Sequence, residues 1–302
     1  MAINTISLAT AMTSALDKAV AQKAATGFFA DNALRAKFVG AGTVLIPEIG
    51  ISGLGDYDRD GGFVPGAVSV SNRPYTLSQD RGRTFQLDAQ DADESGVMEL
   101  AGEVSGQFVR TQVAPEMDAY CLSKLAAYAE DASQTVAGSA GDALALLQDA
   151  IETAQAAVGY DEELVAFMDH SLYAALGRSE ELSRQIVLSD FSKGELDLQV
   201  RSLNGVALLP VPDERMMTAY DFNDGASEGQ TAGGFTPADG ADKIGLLVVP
   251  KRAAKLVKKT EKVRIFSPEQ NPAADAWKID YRLYYDLFIR NSLGKGIVAF
   301  IY

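Results

Sequence analysis

The chain has 302 residues, of which 47% are hydrophobic and 23% charged, and its net charge is −14. This composition excludes a disordered or fibrous chain and predicts a soluble protein with a sizeable core and about two domains. The acidic charge argues against a dedicated nucleic-acid-binding protein, because phosphate contacts need clustered lysine and arginine.

The chain contains one cysteine, Cys121, and one histidine, His170. A single cysteine cannot form an internal disulfide, which fits a reducing compartment, and the same scarcity excludes zinc sites built from cysteine and histidine. No run approaches the roughly 18 apolar residues of a membrane-spanning helix. The N-terminal residues lack the basic start and apolar core of a signal peptide, so we expect no membrane association.

Residues 1–37 are predicted to form an N-terminal arm with a helix. Apolar residues recur there at helical spacing, namely Ile6, Ala9, Met12, Leu16 and Val20. A stripe this narrow makes an isolated helix marginal. We therefore expect the arm to be ordered only against a partner surface, with an ordinary first helix of the fold as the alternative.

Residues 38–92 are predicted to form an extended hairpin loop. Strand-forming runs occupy Thr43–Ile51, Ala67–Leu77 and Thr84–Leu87, with a glycine-rich and aspartate-rich turn between the first two. Apolar residues are too few here for a separate core, and a two-stranded hairpin is marginal in water. The segment should therefore lie against its own domain or a neighbouring subunit.

The turn of this hairpin imitates the start of a calcium-binding loop through Asp56, Asp58 and Asp60. Such a loop needs a glutamate at its twelfth position, where this chain has Ala67, and it needs flanking helices, which the pattern does not predict. We interpret the segment as a charged turn without a metal.

The remainder of the chain predicts a long helix followed by an α/β unit. The helix is expected over 93–130, where Pro115 interrupts the apolar stripe and can start a second helical segment. The α/β unit follows. Within it, the segment 222–242 has no periodicity, which predicts a mobile loop. The predicted elements of the unit are a helix starting at Asp142, strands over 164–168, 206–211 and 244–249, a short helix over 171–176 and a tight turn at Asn204 and Gly205.

The C-terminal region has the clearest strand pattern. Apolar residues alternate with more polar ones from Trp277 to Ile289, which predicts a strand with one buried and one wet face. A final strand is expected over 296–302.

No arrangement of residues predicts a catalytic, cofactor-binding or metal site. Asp169, His170 and Ser171 are consecutive, whereas the members of a catalytic triad converge from separate elements. We interpret them as a helix start capped by Asp169. Cys121 lies inside a helical pattern as a small core residue, and no glycine-rich phosphate loop occurs. A non-enzymatic protein without cofactors is therefore expected.

Four stretches occur in an order that is characteristic of one family. They are GLGDYDRDGGF (53–63), YTLSQDRGRTFQLDAQDADES (75–95), VAPEMDAYCLSKLA (113–126) and YRLYYDLFIRNSLGKGIVAFIY (281–302). With these stretches the chain resembles the major capsid proteins of tailed bacteriophages of the Hong Kong ninety-seven type. The resemblance covers nearly the whole chain.

The resemblance implies an α+β fold in four parts. These are the arm 1–37, the extended hairpin loop 38–92, a peripheral domain with a spine helix from 93–139 and 246–302, and an axial domain 140–245. It implies self-assembly into the pentamers and hexamers of an icosahedral head shell that encloses double-stranded DNA, assembled in the cytoplasm of the host bacterium and then located in the virion. Alternatives are an encapsulin-like nanocompartment shell protein or a cytosolic α/β ligand-binding protein.

Other partners are implied as well. Some relatives carry a fused scaffolding segment of about a hundred residues, whereas only about 35 residues precede the loop here. A separate scaffolding protein is therefore expected, together with a portal, a cement protein where one is used, and weak nonspecific contact with packaged DNA. Some relatives join neighbours by Lys–Asn isopeptide bonds through a lysine of the hairpin loop. This chain has no lysine between Phe38 and Ser123, so a non-covalent shell is expected.

Two groups of charged residues are candidate interaction surfaces. The first packs both signs into a short stretch made of Asp80, Arg81, Arg83, Asp88, Asp91 and Asp93. We expect its arginines to pair with carboxylates, at least partly across subunits. The second is a basic run made of Lys251, Arg252, Lys255, Lys258, Lys259, Lys262 and Arg264. Three interpretations of the run stay open: contact with DNA, pairing with an acidic patch of a neighbour, or a solvated helix face.

Overall fold

The structure is a computed structural model, and it describes residues 24–30, 37–40, 42–88, 105–178, 187–193 and 196–302. The predicted stripe of the N-terminal arm, the first part of the predicted long helix, Asp91 and Asp93 lie outside the described residues.

The described residues form fourteen strands and four α-helices. The strands are β1 (Lys37–Val39), β2 (Thr43–Ile51), β3 (Val68–Thr76), β4 (Gln79–Asp88), β5 (Leu164–Asp169), β6 (Val187–Lys193), β7 (Leu196–Leu203), β8 (Val206–Val211), β9 (Tyr220–Phe222), β10 (Phe235–Pro237), β11 (Ile244–Pro250), β12 (Ala254–Phe266), β13 (Ala276–Ile289) and β14 (Val298–Ile301). The α-helices are α1 (Ala114–Asp131), α2 (Ala143–Val158), α3 (His170–Arg178) and α4 (Asn291–Gly294). Short 3-10 helices occupy Gly27–Ala30, Ala140–Asp142, Asp213–Arg215 and Pro268–Gln270.

A six-stranded sheet with the order β14-β11-β5-β8-β7-β6 forms the centre of the α/β unit. All residues of β5 and β11 are buried, as continuous apolar runs with both faces covered should be. One face packs on α1 through Val165 and Phe167, and the other packs on α2 through Ala166 and Met168. The predicted buried strands and the helix after Asp142 are therefore confirmed.

A three-stranded sheet with the order β12-β13-β4 lies on the other side of α1. Ile279, Tyr281 and Leu283 of β13 face the core, whereas the intervening Asp280 and Arg282 do not belong to it. The alternation predicted for this strand is confirmed. The strand predicted over Thr84–Leu87 is longer than expected, because β4 pairs along β13 from Gln79 to Asp88.

The helix beneath this sheet confirms the predicted break at Pro115. Residues 105–108 are helical, Val109–Val113 form one stretch of π-helix, and α1 then begins with Pro115 in its first turn. The α-helical hydrogen-bond pattern is interrupted here, but the chain stays helical: the Ala114 amide donates to the carbonyl of Val109, five residues back, directly before a proline that has no amide to donate. The buried side of α1 includes Met117, Leu122 and Leu125.

Residues 24–30 contradict the expectation that the whole arm is ordered only against a neighbour. Phe28 and Phe29 are buried in the main core, and their rings lie 6.1 and 6.3 Å from the ring of Phe167 in β5. The buried carboxylate of Asp118 accepts hydrogen bonds from the amides of Ala25 and Thr26, at 2.9 Å each. This part of the arm therefore belongs to the core of its own chain.

The segment 222–242 is more ordered than predicted, because β9 and β10 pair as a small antiparallel ladder around it. The tight turn predicted at Asn204 and Gly205 is confirmed, since both residues have positive φ, at +51° and +80°, and connect β7 to β8. No helix among the described residues is long and apolar enough to cross a membrane.

Candidate functional site

The most exposed apolar surface lies on the hairpin formed by β2 and β3. The two strands pair from Thr43 and Thr76 at the base to Ile51 and Val68 at the far end, nine residues in all, or about 30 Å. Ile51, Val68 and Val70 share one face of this ribbon, and they are 76%, 69% and 65% exposed. A large apolar stripe in water indicates a contact surface.

The tip of the hairpin extends this surface. Leu54 and Phe63 are fully or almost fully exposed, and the ring of Phe63 lies 4.9 Å from that of Tyr57. Around them, Asp58 closes a tight turn through paired backbone hydrogen bonds with Gly62. The predicted charged turn is confirmed, and among the described residues no group of acidic, histidine or cysteine side chains is arranged to hold a metal ion.

The base of the hairpin is held by a small core of its own. Val44, Ile46 and Leu77 pack against Val257 of β12 and Phe288 of β13. The hairpin therefore has its root packed on its own chain, whereas the side chains of its far half join no core cluster among the residues that the structure describes. Sequence patterns predicted both strands but not this division, because Val257 and Phe288 are distant in the sequence.

Arg81 joins three parts of the chain. Its guanidinium makes a bidentate ion pair with Glu116 of α1, at 2.6 and 3.2 Å, and it donates to the carbonyl oxygens of Asn223 and Gly234 at 2.9 and 3.1 Å. The predicted carboxylate pairing of Arg81 is thus found within one chain. Sequence reasoning did not identify Glu116, which belongs to the apolar-patterned helix.

Replacing Arg81 by alanine is expected to lower the free energy of unfolding by about 2–3 kcal/mol, because Glu116 would lose its partner in a largely buried place. Arg83→Ala is the matched control, and it should cost less than about 1 kcal/mol because this side chain is exposed. Chemical denaturation of both variants measures the difference. Equal losses would contradict this role of Arg81.

The other residues of the first charged group have separate partners. Arg83 donates to the carbonyl oxygen of Thr231, at 3.2 Å. Asp80 accepts from Arg282 of β13 at 2.9 Å, and this ion pair holds the pKa of Asp80 below its usual range. Asp88 is exposed at the end of β4. The described members of the group, Asp80, Arg81, Arg83 and Asp88, therefore do not form one cluster, and Asp91 and Asp93 lie outside the described residues.

A cavity of about 530 Å³ separates the inner face of the three-stranded sheet from the 222–237 segment. Its walls include Arg81, Arg83, Phe85 and Phe108. Gly225 lies close to Arg83, since a Cβ there would come within 2.7 Å of the Arg83 Nη1 atom. The segment forms one wall of this cavity, and its backbone carbonyls accept hydrogen bonds from Arg81 and Arg83.

The basic run lies on strand β12 and the turn before it, so the interpretation as a solvated helix face is wrong. Its members divide into two groups. Lys251 pairs with Glu163 at 2.8 Å, Lys258 pairs with Glu261 at 2.9 Å, and Lys259 donates to the carbonyl oxygen of Gly40 at 3.0 Å. Lys255 donates to the carbonyl oxygen of Ala30. Lys251, Lys255 and Lys259 thus connect distant parts of the chain, Lys258 pairs within β12, and Arg252 is exposed in the turn.

The end of the run forms a cationic surface on the outer face of the three-stranded sheet. Lys262 and Arg264 of β12 line a shallow cavity of about 260 Å³ together with Asp280 and Arg282 of β13. Asp280 pairs with Arg264 at 3.3 Å and with Lys278 at 3.6 Å. We call Lys262, Arg264, Lys278 and Arg282 the outer cationic cluster. The two residues from β13 were missed in the sequence, because only strand register brings them beside β12.

One cluster of ionisable groups resembles an active site in composition but not in chemistry. The buried carboxylate of Asp169 accepts from Lys243, Ser171 and Tyr302, at 2.6, 2.5 and 3.2 Å, and it also caps α3 at the amide of Leu172. Burial opposes the charge of Lys243, but its bonds to two carboxylates raise its pKa to about 12, so this amine stays protonated. A protonated amine is no nucleophile.

The remaining candidates for chemistry are equally unsuited. His170 is exposed at the start of α3. Its backbone amide donates to Asp213, and its ring is not among the groups bound to Asp169. Cys121 is fully buried in α1, and this burial raises the pKa of its thiol well above the usual range. The hydrogen bond from the Leu172 amide to Asp169 confirms the expected helix start with Asp169 as its cap.

Comparison with known proteins finds solved structures that share this architecture. No protein-family model matches the sequence, and no curated protein is significantly similar to it. Solved structures do match. The capsid of the cyanophage P-SCSP1u aligns with a TM-score of 0.55 at 12% identity, covering 89% of this chain and 88% of that chain.

Two further structures support the same conclusion. The mature capsid of bacteriophage PhiM1 aligns with a TM-score of 0.53 at 14% identity, over 86% of this chain and 82% of that chain. A virus-like particle from Pyrococcus furiosus aligns with a TM-score of 0.53 at 11% identity, over 96% and 98%. At such low identities the likeness concerns the fold alone. The chain therefore has the α+β fold of the proteins in these capsids.

Proposed function

We propose that this chain is the major capsid protein of a tailed bacteriophage, a structural protein that assembles with copies of itself into a closed shell. The observation that carries the proposal is the hairpin, whose far half exposes an apolar stripe that belongs to no core cluster of the described residues. The fold shared with phage capsids agrees with it.

The hairpin explains how a chain of this size obtains enough contact area. Permanent assemblies commonly bury more than about 2,000 Å² at an interface. A ribbon about 30 Å long can cover a neighbour without enlarging the core of its own chain. The stripe of Ile51, Val68 and Val70 would be removed from water in that contact, and such burial is the main driving force for association.

The wider organisation follows from the resemblance to capsid proteins of the Hong Kong ninety-seven type. Pentamers and hexamers would form an icosahedral head around double-stranded DNA, built in the bacterial cytoplasm with a separate scaffolding protein and a portal, and with a cement protein where one is used. The domain layout proposed for this role keeps the arm 1–37, the loop 38–92, the axial domain 140–245 and a peripheral domain from the remaining residues.

Charge complementarity suggests one contact within such a shell. The outer cationic cluster has four basic groups beside Asp80 and Asp280, whereas the hairpin tip carries Asp56, Asp58 and Asp60 with a single arginine. Opposite charges of this kind set register and suppress wrong pairings more than they add affinity. We infer that the cluster meets an acidic surface of a neighbour. Contact with packaged DNA is the second interpretation, and it would be weak and nonspecific for a chain of net charge −14.

Electron microscopy of the purified full-length protein tests the proposal. We expect closed shells of uniform size, while a small soluble oligomer with a ligand pocket would contradict it. The contents of the shells then distinguish a phage head from a nanocompartment. Phage heads isolated from infected cells should contain double-stranded DNA. An encapsulin-like shell would instead contain a protein cargo.

Charge reversal at Arg83 is expected to impair shell formation while the chain still folds. The side chain is exposed and has a hydrogen bond to a single loop carbonyl, so Arg83→Glu removes little stability from the isolated chain. Sedimentation should show a loss of shells, and thermal melting should stay close to that of the original protein. Normal shells from this variant would contradict an intersubunit role for Arg83.

The shell is expected to be free of covalent links through the hairpin loop. An isopeptide bond needs a lysine amine as its nucleophile, and no lysine lies between Phe38 and Ser123. Arginine cannot replace it, because its guanidinium stays protonated. Mature particles boiled in detergent should give a single band at 32.1 kDa. Covalent multimers mapped to residues 38–90 would contradict the expectation.

A further inference from the structure

The carboxylate of Asp286 lies at the point where the hairpin returns to the body of the chain. Asp286 belongs to β13 and is 2% exposed. Its Oδ2 atom accepts from both the amide and the hydroxyl of Ser78, at 3.1 Å each. Ser78 stands between the end of β3 and the start of β4, so these two bonds fix the turn at which the hairpin ends.

The other oxygen of the same carboxylate is bound to the long helix. Asp286 Oδ1 accepts from the hydroxyl of Tyr120, at 2.7 Å, and from the ammonium of Lys124. The amide of Leu287 is a third donor to this oxygen, at 2.7 Å. Tyr120 and Lys124 are one turn apart on α1, which places both on the same side of the helix. One side chain thus connects a strand, a helix and the root of the hairpin.

We propose that Asp286, together with Lys124, is a positioning pair that sets the direction in which the hairpin projects from the subunit before any neighbour is bound. The positioning role itself is independent of the proposed function. Only the statement that the hairpin docks on a neighbour in this direction rests on that function. A hairpin about 30 Å long converts a small rotation at its root into a large displacement of its tip, so its docking depends on how firmly the root is held.

The chemistry at the root requires a carboxylate. All five groups around Asp286 are hydrogen-bond donors, and an ionised carboxylate is acceptor-only. An asparagine has the same shape, but its amide nitrogen would face donors in either orientation. Asp286→Asn therefore disrupts one side of the connection, either to Ser78 or to α1, without creating a cavity.

Lys124 supplies the charge that a buried carboxylate needs. Burial opposes the charge of Lys124, but its hydrogen bond and attraction to Asp286 raise its pKa, so it stays an ammonium group. Its ammonium also lies 3.2 Å from the Tyr120 hydroxyl, which in turn lies 2.8 Å from the Ser78 hydroxyl. The apolar core at the root is held mainly by packing, with one hydrogen bond from the Tyr284 hydroxyl to the carbonyl oxygen of Leu77 at 3.2 Å, and packing specifies an angle less sharply than charged hydrogen bonds do.

Distance measurements between spin labels test the proposal on the full-length chain. Ser69→Cys places one label on the hairpin and Glu130→Cys places the other on α1, and both positions are exposed. Cys121 is buried and stays unlabelled in the folded chain. Labelled chains are mixed with a large excess of unlabelled chains, so that only distances within one chain are measured.

In the otherwise unchanged protein we expect a single narrow distance distribution. Asp286→Asn and Lys124→Met should broaden it about twofold, since the hairpin then samples several directions. Lys124→Arg should keep the distribution narrow, because it retains a cationic donor. Asp280→Asn is the matched control on the same strand: its carboxylate binds Arg264, Lys278 and Thr84, none of which belongs to the hairpin, so the distribution should not change.

Unchanged widths in Asp286→Asn and Lys124→Met would overturn the proposal, as would equal broadening in Asp280→Asn. If Asp286→Asn does not fold, the comparison of Lys124→Met with Lys124→Arg decides. A merely stabilising pair would lower the melting temperature and leave the distance distribution narrow. If the original protein forms no shells but these distances behave as expected, the positioning role stands and the proposed function fails.

Discussion

Replacing Phe29 by alanine is expected to lower the free energy of unfolding by about 3–5 kcal/mol. Phe29 is 0% exposed, and its ring lies 4.3 Å from Phe28 and 6.3 Å from Phe167 of the central sheet. Removing the ring leaves a cavity in the main core, and the loss would be a large part of the roughly 5–15 kcal/mol that stabilises an ordinary protein.

Phe38→Ala provides the control for this effect. Phe38 stands on β1, nine residues further along, and is 42% exposed, so the same substitution should cost less than about 1 kcal/mol. Chemical denaturation of unassembled protein measures both variants. A small effect at Phe29 would contradict its placement in the core.

The burial of Phe28 and Phe29 also changes the result expected when N-terminal residues are deleted. If the arm were ordered only against a partner, deleting residues 1–30 would leave the chain folded, but this deletion removes Phe28, Phe29 and both amides bound to Asp118. That deletion should now unfold the chain. Deleting residues 1–23 spares all of these contacts and is the variant that tests a role of the arm in assembly.

Shortening the hairpin is expected to abolish shells without destabilising the subunit. Ile51 and Val68 are paired residues, so Asn-Gly in place of residues 52–67 closes the ribbon with a two-residue turn. The deleted residues contribute no buried side chain, so the free energy of unfolding should change by less than about 1 kcal/mol. Shells should disappear, because the exposed tip with Leu54 and Phe63 is lost.

Electron microscopy and sedimentation measure the assembly of the shortened chain, and denaturation measures its stability. A milder variant, Val68→Ser with Val70→Ser, keeps the ribbon length and removes only the apolar stripe. Intermediate assembly of this variant would locate part of the contact on the stripe. Normal shells from the shortened chain would contradict the proposed role of the hairpin.

Much of the local structure could be predicted from the sequence, because each signal is contained in a short stretch. The alternating pattern predicted the start of β13 to within one residue and its end at the correct residue. Strand-forming residues between turn signals predicted β2, β3 and β8. The break at Pro115 and the cap at Asp169 were predictable for the same reason, since each depends on groups within a few residues.

The partners of the charged and polar residues were predictable only in part. Arg81 and Arg83 stood out as charges in a segment with little core, but their partners on α1 and the 222–237 segment could not be identified. Asp286 gave no signal at all, because it occupies one polar position in an alternating strand. Its role depends on Ser78, Tyr120 and Lys124, which belong to two other elements.

By itself, the sequence determined the α+β class, the extended hairpin with its charged tip, the helix break at Pro115 and the resemblance to capsid proteins. Only the tertiary structure decided that Phe28 and Phe29 belong to the core and that Arg81 forms an ion pair with Glu116. It also decided that most of the basic run lies on a strand, where some of its residues bind within the chain and others form an outer surface. The reason is that turns, caps and periodicity depend on neighbouring residues, whereas contacts between distant segments depend on strand register and on how the layers pack.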